Sequence, residues 1–162
     1  MNVFVLDLDP ARAAQMQCDK HVVKMVLETA QLLCAAFPEG SAPYKRTHYN
    51  HPCAKWTRES MDNFVWLVGH GLALSDEYTY RYGKRHKSHD AILWCMQHTH
   101  LLDIPAVGLT PFAQAMPDEY KHEDSVTAYR TYYIENKLKV RDIVKYTRRR
   151  QPEFLQKFLC RK

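Results

Sequence analysis

The segment Cys18–Ala36, CDKHVVKMVLETAQLLCAA, carries the residues best suited to chemistry. At roughly 100° per residue of α-helix, His21, Lys24, Glu28 and Gln31 fall within about 80° of arc. Glu28 then lies one turn from Lys24 and two turns from His21. A carboxylate poised by a neighbouring cation, with an imidazole that exchanges protons near neutral pH, is suited to general acid–base work. Glu28, His21 and Lys24 are the candidate catalytic residues of this stripe. The same residues also suit a buried structural ion pair between Lys24 and Glu28 at i,i+4, so the helix alone leaves both readings open. Val22, Val23, Val26, Leu27, Leu33 and Cys34 occupy the rest of the circumference. A narrow polar stripe between apolar walls predicts a helix buried on most sides, its stripe facing a cleft.

Two clusters downstream suit anions and bases. Tyr44–Trp56 packs Lys45, Arg46, His48, Asn50, His51, Lys55 and Trp56 into thirteen residues, with Arg58 just beyond. Pro52 should start a helix whose first N–H groups, with Lys55 and Arg58, can meet a phosphate. Tyr44, Tyr49 and Trp56 are the aromatic groups available for stacking on a base. A solvated basic loop is the plainer alternative. Arg81, Lys84 and Lys87 in YTYRYGKRHKS extend the basic surface past Gly83, which reads as a helix terminator. Cations at a helix C-terminus also suit the dipole without any ligand. Lys20, beside His21, joins the candidate phosphate contacts. Cys18, His48, His51, Cys95, His98 and His100 are possible metal ligands, but none has paired CxxC or HExxH spacing, so no metal is expected. GxxxxGK[ST], GxGxxG and GxSxG are absent, and no cofactor is expected either.

Helical spacing must position these groups. It predicts helices over 11–17, 18–36, 53–82 with a break near Ser60–Asp62, 88–100, 124–137, a basic segment to Tyr146, and 152–159. Asp9, Ser88 and Asp124 read as caps, and Pro10 as a first helical residue. Asn2–Asp9 reads as one short buried strand. Phe37–Pro52 and Leu101–Lys121 refuse the pattern and have the length of functional loops. The chain of 162 residues, 46% hydrophobic and 25% charged, is expected to be an all-α compact single-domain helical bundle over 1–162 with that short N-terminal strand. No transmembrane-length run or signal peptide is read, and five spread cysteines suit reduced thiols in the cytoplasm. Net charge is only +5, yet residues 137–162 hold ten Lys and Arg against two acidic residues. That basic C-terminal segment suggests a polyanionic partner, or a solvated face.

Asp19-Lys20-His21, six residues, then Glu28 near the N-terminus resembles the phage pyrimidine-dimer DNA glycosylases, whose Asp-x-His-x6-Glu helix carries the catalytic glutamate. Glu77-Tyr78 and Arg81–Ser88 are similar to the wider set of small all-helical proteins of that name, covering roughly residues 1–90. The resemblance implies a glycosylase-like fold and DNA as partner. Those glycosylases attack with the α-amine of a small second residue exposed by methionine removal; here the second residue is Asn2, too large for efficient removal, and Val3–Val5 should bury that end. The signatures CDKHVVK, Thr47-His-x-Asn-His-Pro-x-x-Lys-Trp56 and Ala115–Lys121 resemble a phage-associated branch linked to thymidine hypermodification (glutamyl/putrescinyl-thymidine pyrophosphorylase-like proteins and amino acid:DNA transferases). That branch implies transfer of an amine, such as glycine or another amino acid or a polyamine, onto the 5-methylene of pyrophosphorylated 5-hydroxymethyluracil in DNA, with loss of pyrophosphate. A DNA glycosylase/AP lyase is the alternative, and a nonenzymatic DNA-binding protein the third reading.

Overall fold

The computed structural model describes residues 1–141 and 144–159, with the side chains of 141 and 157–159 left aside. Among the described residues eight α-helices follow one another: α1 Pro10–Gln15, α2 Asp19–Cys34, α3 Pro52–Glu59, α4 Met61–Tyr82, α5 His89–Gln97, α6 Ser125–Tyr132, α7 Lys139–Arg141 and α8 Glu153–Leu159, with a π-helical stretch Tyr133–Leu138 joining α6 to α7. The all-α class expected from periodicity is the observed one. Helix α4 is the spine, with α1, α2, α3 and α5 packed on it. Its contact with α2 and α5 is close enough that a Cβ on Gly71 would meet Thr29 Cγ2 at 2.8 Å and Ile92 Cδ1 at 3.0 Å. A larger residue fits only if Thr29 and Ile92 give way.

Local chemistry sets the helix ends. Asp9 accepts N–H bonds from Ala11 and Arg12, with Pro10 as the first helical residue. Ser60 ends α3 in extended conformation and caps α4 by accepting from Asp62 N, which accounts for the expected break. Gly83 ends α4 at φ +71°, a conformation that penalises any residue with a Cβ. Asp124 caps α6. Ser88 precedes α5 but makes no capping bond; its hydroxyl accepts instead from Tyr44.

The expected N-terminal strand is absent from the described residues. Val3, Phe4, Val5 and Leu6 are buried as alternating apolar residues should be, but no strand lies alongside them. Several of their backbone groups are met by side chains and one tight turn: Asn2 Oδ1 takes Val3 N, Phe4 O takes Leu6 N, and Arg130 donates to Leu6 O. The long irregular stretch 102–117 is likewise tied down. Asp62 and Asn63 at the start of α4 hold Gly108 and Thr110, and Phe112 stacks on Trp56.

The basic C-terminal segment is not a free tail. Leu138 and Leu155 are fully buried, Tyr146 donates to Met16 O, and Asp19 N donates to Lys145 O. Arg149 is bidentate on Glu77 and Lys139 pairs with Glu135. Part of the charge counted there is therefore consumed inside the molecule. Arg161, Lys162 and Cys160 lie outside the described residues.

Candidate active site

Helix α2 delivers the polar stripe to a cleft of about 340 Å³ lined by Met1, Phe4, His21, Lys24, Glu28, His51 and Lys137, among others. Glu28 is almost buried, and its Oε1 lies 3.1 Å from the α-amine of Met1. Lys24 stands at the solvent edge, its Nζ 3.9 Å from Oε2. The i,i+4 pair is thus the weaker of the two contacts, the nearer cation being the α-amine. Val23 and Leu27, expected as buried walls, are each 42% exposed and flank the stripe at the surface. The helix is covered less completely than its composition predicts because the face around Lys24 is the mouth of the cleft.

The α-amine reaches Glu28 because Asn2 is anchored. Its Nδ2 donates to Ala115 O at 3.0 Å, and its Oδ1 accepts from Val3 N at 2.8 Å and Tyr129 OH at 3.1 Å. The buried Val3–Leu6 arm fixes the rest. Burial of this end was expected to withdraw the α-amine from chemistry; instead the buried arm places it in the cleft.

His21 packs against the Phe4 ring, centroids 4.8 Å apart, and its Nδ1 lies 2.7 Å from Tyr133 OH. His51 caps α3: its Nδ1 accepts from Cys53 N, and the Met1 carbonyl is a further hydrogen-bond partner. Burial, reinforced by the positive α-amine and His48, holds His51 below the ordinary imidazole value, against the opposing pull of Glu28 and the Met1 carbonyl. With Lys24 and Lys137 at the rim, cationic groups outnumber the one carboxylate, a balance that suits an anionic substrate. The neighbouring Cys53 thiol is pushed up to about 11, chiefly by burial, and stays protonated.

A family model described as pyrimidine dimer DNA glycosylase matches residues 1–91, more than half of the chain, and includes the whole of α2. The chain belongs to that family. No curated protein and no solved structure gives a match. The pyrimidine dimer DNA glycosylase match ends before Ala115, Tyr132 and Lys137, so the second half of this member completes a cleft that the first half begins.

Several expected contacts are placed elsewhere in this family member. Trp56 is 3% exposed, stacked on Phe112, with its indole N–H on Thr110 O, so it is a core residue and cannot receive a base. Arg81 is buried between Asp19 and Glu77 and also donates to Gln15 O, which leaves no face for a phosphate. Tyr44 is half-buried on Ser88. Tyr49 is exposed but lies under two guanidiniums, Arg46 at 4.3 Å and Arg58 at 3.7 Å from its ring centre. Those arginines also donate to Phe37 O and Tyr49 O, so they brace the loop as much as they charge it. Lys20, Lys45, His48, Asn50, Lys55, Lys84 and Lys87 are exposed and stand outside the cleft lining. Cys34 and Cys95 sulfurs lie 3.7 Å apart in the core. No group of three or more His, Cys, Asp or Glu converges among the described residues, and no described helix is long and apolar enough to cross a membrane.

Sequence reasoning weighed the α-amine and Asn2 but ranked that chemistry second, and it missed Tyr133 and the cleft-lining position of Lys137. The Asp-x-His-x6-Glu pattern was the signal for the amine. The last two have none, since each depends on contacts across more than a hundred residues of chain.

Proposed function

We propose that this protein acts on pyrimidine nucleotides of DNA as a glycosylase/lyase, with the α-amine of Met1 as nucleophile and Glu28 as the carboxylate that takes its proton. The observation that carries this reading is the 3.1 Å contact between that amine and Glu28 inside a cleft rimmed by cations. The neutral amine forms a bond to C1′ while the C1′–N1 glycosidic bond breaks. The base leaves with the electron pair; the nitrogen lone pair then breaks the C1′–O4′ bond, O4′ takes back the proton held by Glu28, and the opened sugar remains as an iminium on Met1 until water or elimination releases it. Lys24 and Lys137 face the flanking phosphates. A base in duplex DNA hides its sugar carbon, so a nucleotide must be displaced at a cost of a few kcal/mol.

The second reading is the transferase: an external amine such as glycine displacing pyrophosphate from pyrophosphorylated 5-hydroxymethyluracil. The clustering of Lys24, Lys137 and the α-amine favours it, because a pyrophosphate leaving group needs cations. It ranks second because Glu28 is already engaged by the chain's own amine. Borohydride added during incubation with dimer-containing DNA should give a protein–DNA adduct whose modified peptide begins at Met1. Absence of the adduct, with pyrophosphate released from the modified DNA and glycine's mass gained on the base, would establish the transferase instead. Neither reaction, with DNA still bound, would leave a binding protein.

A further inference from the structure

Tyr133 opens the π-helical stretch and is fully buried. Its hydroxyl oxygen accepts the Cys18 N–H at 2.9 Å and lies 2.7 Å from His21 Nδ1. A phenol has one proton to give, and a buried hydroxyl left without an acceptor is costly. Donation to Nδ1 satisfies the phenol, the Cys18 amide and the imidazole together. Donation in the reverse sense would give the phenol oxygen two donors and leave its own proton without a partner among these three groups. The Cys18 thiol, 3.5 Å from the same Nδ1 and also a hydrogen-bond partner of the phenol, is both a weak donor and a weak acceptor, and the imidazole nitrogen is the stronger acceptor for the phenol proton. Burial raises the Tyr133 phenol well above its ordinary range, so it keeps the proton this arrangement requires.

We infer that Tyr133 is a positioning residue that locks neutral His21 in the tautomer carrying its proton on Nε2. His21 lines the cleft while Nδ1 is committed to Tyr133. The polar group the ring has left is then an N–H donor, opposite in role to the Glu28 carboxylate, which is an acceptor. Two neighbouring groups with fixed and opposite roles suit a step in which one proton leaves the nucleophile and negative charge develops on the departing base. Tyr133 sits where regular α winding gives way to the π stretch, a local geometry often found at functional sites. Tyr133 lies beyond the residues that the family model matches.

The role in turnover rests on the glycosylase/lyase reading; the tautomer does not. Long-range 1H–15N spectra of the full chain, with His21 assigned by the signal lost in His21→Asn, report the tautomer directly. The expected spectrum has Nδ1 unprotonated and Nε2 protonated. Tyr133→Phe keeps the ring and removes the donor: His21 should become a tautomer mixture, and kcat for base release should fall about tenfold to a hundredfold with KM little changed, part of the usual 10²–10⁴-fold worth of such catalysis. A wild-type spectrum with the proton on Nδ1 overturns the inference, as does a folded Tyr133→Phe protein whose His21 stays wholly Nε2-protonated. If the wild type shows no turnover, the site reading fails while the spectrum still decides the tautomer. If Tyr133→Phe does not fold, the wild-type spectrum alone decides it.

Discussion

Helix α2 carries two nearly buried carboxylates, Asp19 at its start and Glu28 in its third turn, and their surroundings could hardly differ more. Asp19 is saturated: Arg81 Nη1 at 3.0 Å, Thr147 N at 2.8 Å and Thr147 Oγ1 at 2.5 Å occupy it. Arg81 continues to Glu77, and Glu77 to the half-buried Arg149, so four charged side chains form one chain of ion pairs. Burial pushes the Glu77 carboxyl upward, yet the hydrogen bonds and charges of Arg149 and Arg81 outweigh it and hold the group below its ordinary value. Glu28 instead has one close cation, the α-amine, one distant and exposed one, Lys24, and a cleft in front of it. A buried carboxylate that all its neighbours satisfy holds elements together. One left open toward a cavity has capacity to spare for a substrate.

Changing the two ends separately tests that contrast. Glu28→Gln keeps the side chain's shape and removes the base: turnover should fall by about 10²–10⁴-fold, while DNA affinity and melting temperature barely move. Retained turnover would make Glu28 as structural as Asp19. Arg81→Met should do the converse. It leaves Asp19 and Glu77 buried without their shared cation and should cost about 3–5 kcal/mol in urea unfolding, with near-normal turnover in the fraction still folded.

A third test uses acid. His70, at the same end of the molecule, is buried between Gln17 and the Pro10 carbonyl, and burial lowers its pKa from 6.5 to about 4. The unfolded chain takes up this proton below pH 6.5 and the folded chain does not, so stability should decline from about pH 6.5 down to 4. Glu77 adds to the loss at lower pH, because a depressed carboxyl stabilises only while ionised and its contribution disappears as pH falls from 4.5 through its folded value. His70→Gln should flatten the upper part of that decline in thermal melts without touching the catalytic pH profile. The smallest effect concerns the rim: Lys137→Met should weaken DNA binding a few-fold and lower the log–log salt slope by about 0.9, one phosphate's worth on duplex DNA. An unchanged slope would assign Lys137 to solvent and leave Lys24 as the cation to test.

The helices and the stripe were legible because both are local. Cap residues, proline and glycine positions and the 3.6-residue period fix α1 to α5 within a few residues, and the same period places His21, Lys24 and Glu28 together. What was not legible depends on distant partners. The alternating Val3–Leu6 stretch satisfies the pattern of a strand equally well, and only the lack of a second strand turns it into a buried arm. Arg81 and Trp56 have the chemistry of DNA contacts, but Asp19 and Glu77 claim one, and Phe112 and Thr110 the other. A residue's type suggests what it can bind; which partner reaches it first is decided by the tertiary fold.

The π stretch at Tyr133–Leu138 has a consequence for how this protein can change over generations. Such a stretch amounts to one residue inserted into an α-helix, and it is less stable than the helix it interrupts. Deleting a single residue there, for instance Glu135, would restore regular winding and should strengthen the segment itself. It would also turn everything after it by about 100° relative to everything before it, so Tyr133 could keep its bond to His21 only if Lys137 left the cleft and Leu138 the core. Variants that drift toward a sturdier helix should therefore lose the Lys137 side of the cleft or the Tyr133–His21 contact. An insertion retained at this position in related chains would mark those that still use it, and a repaired helix those that have kept the fold and abandoned the chemistry.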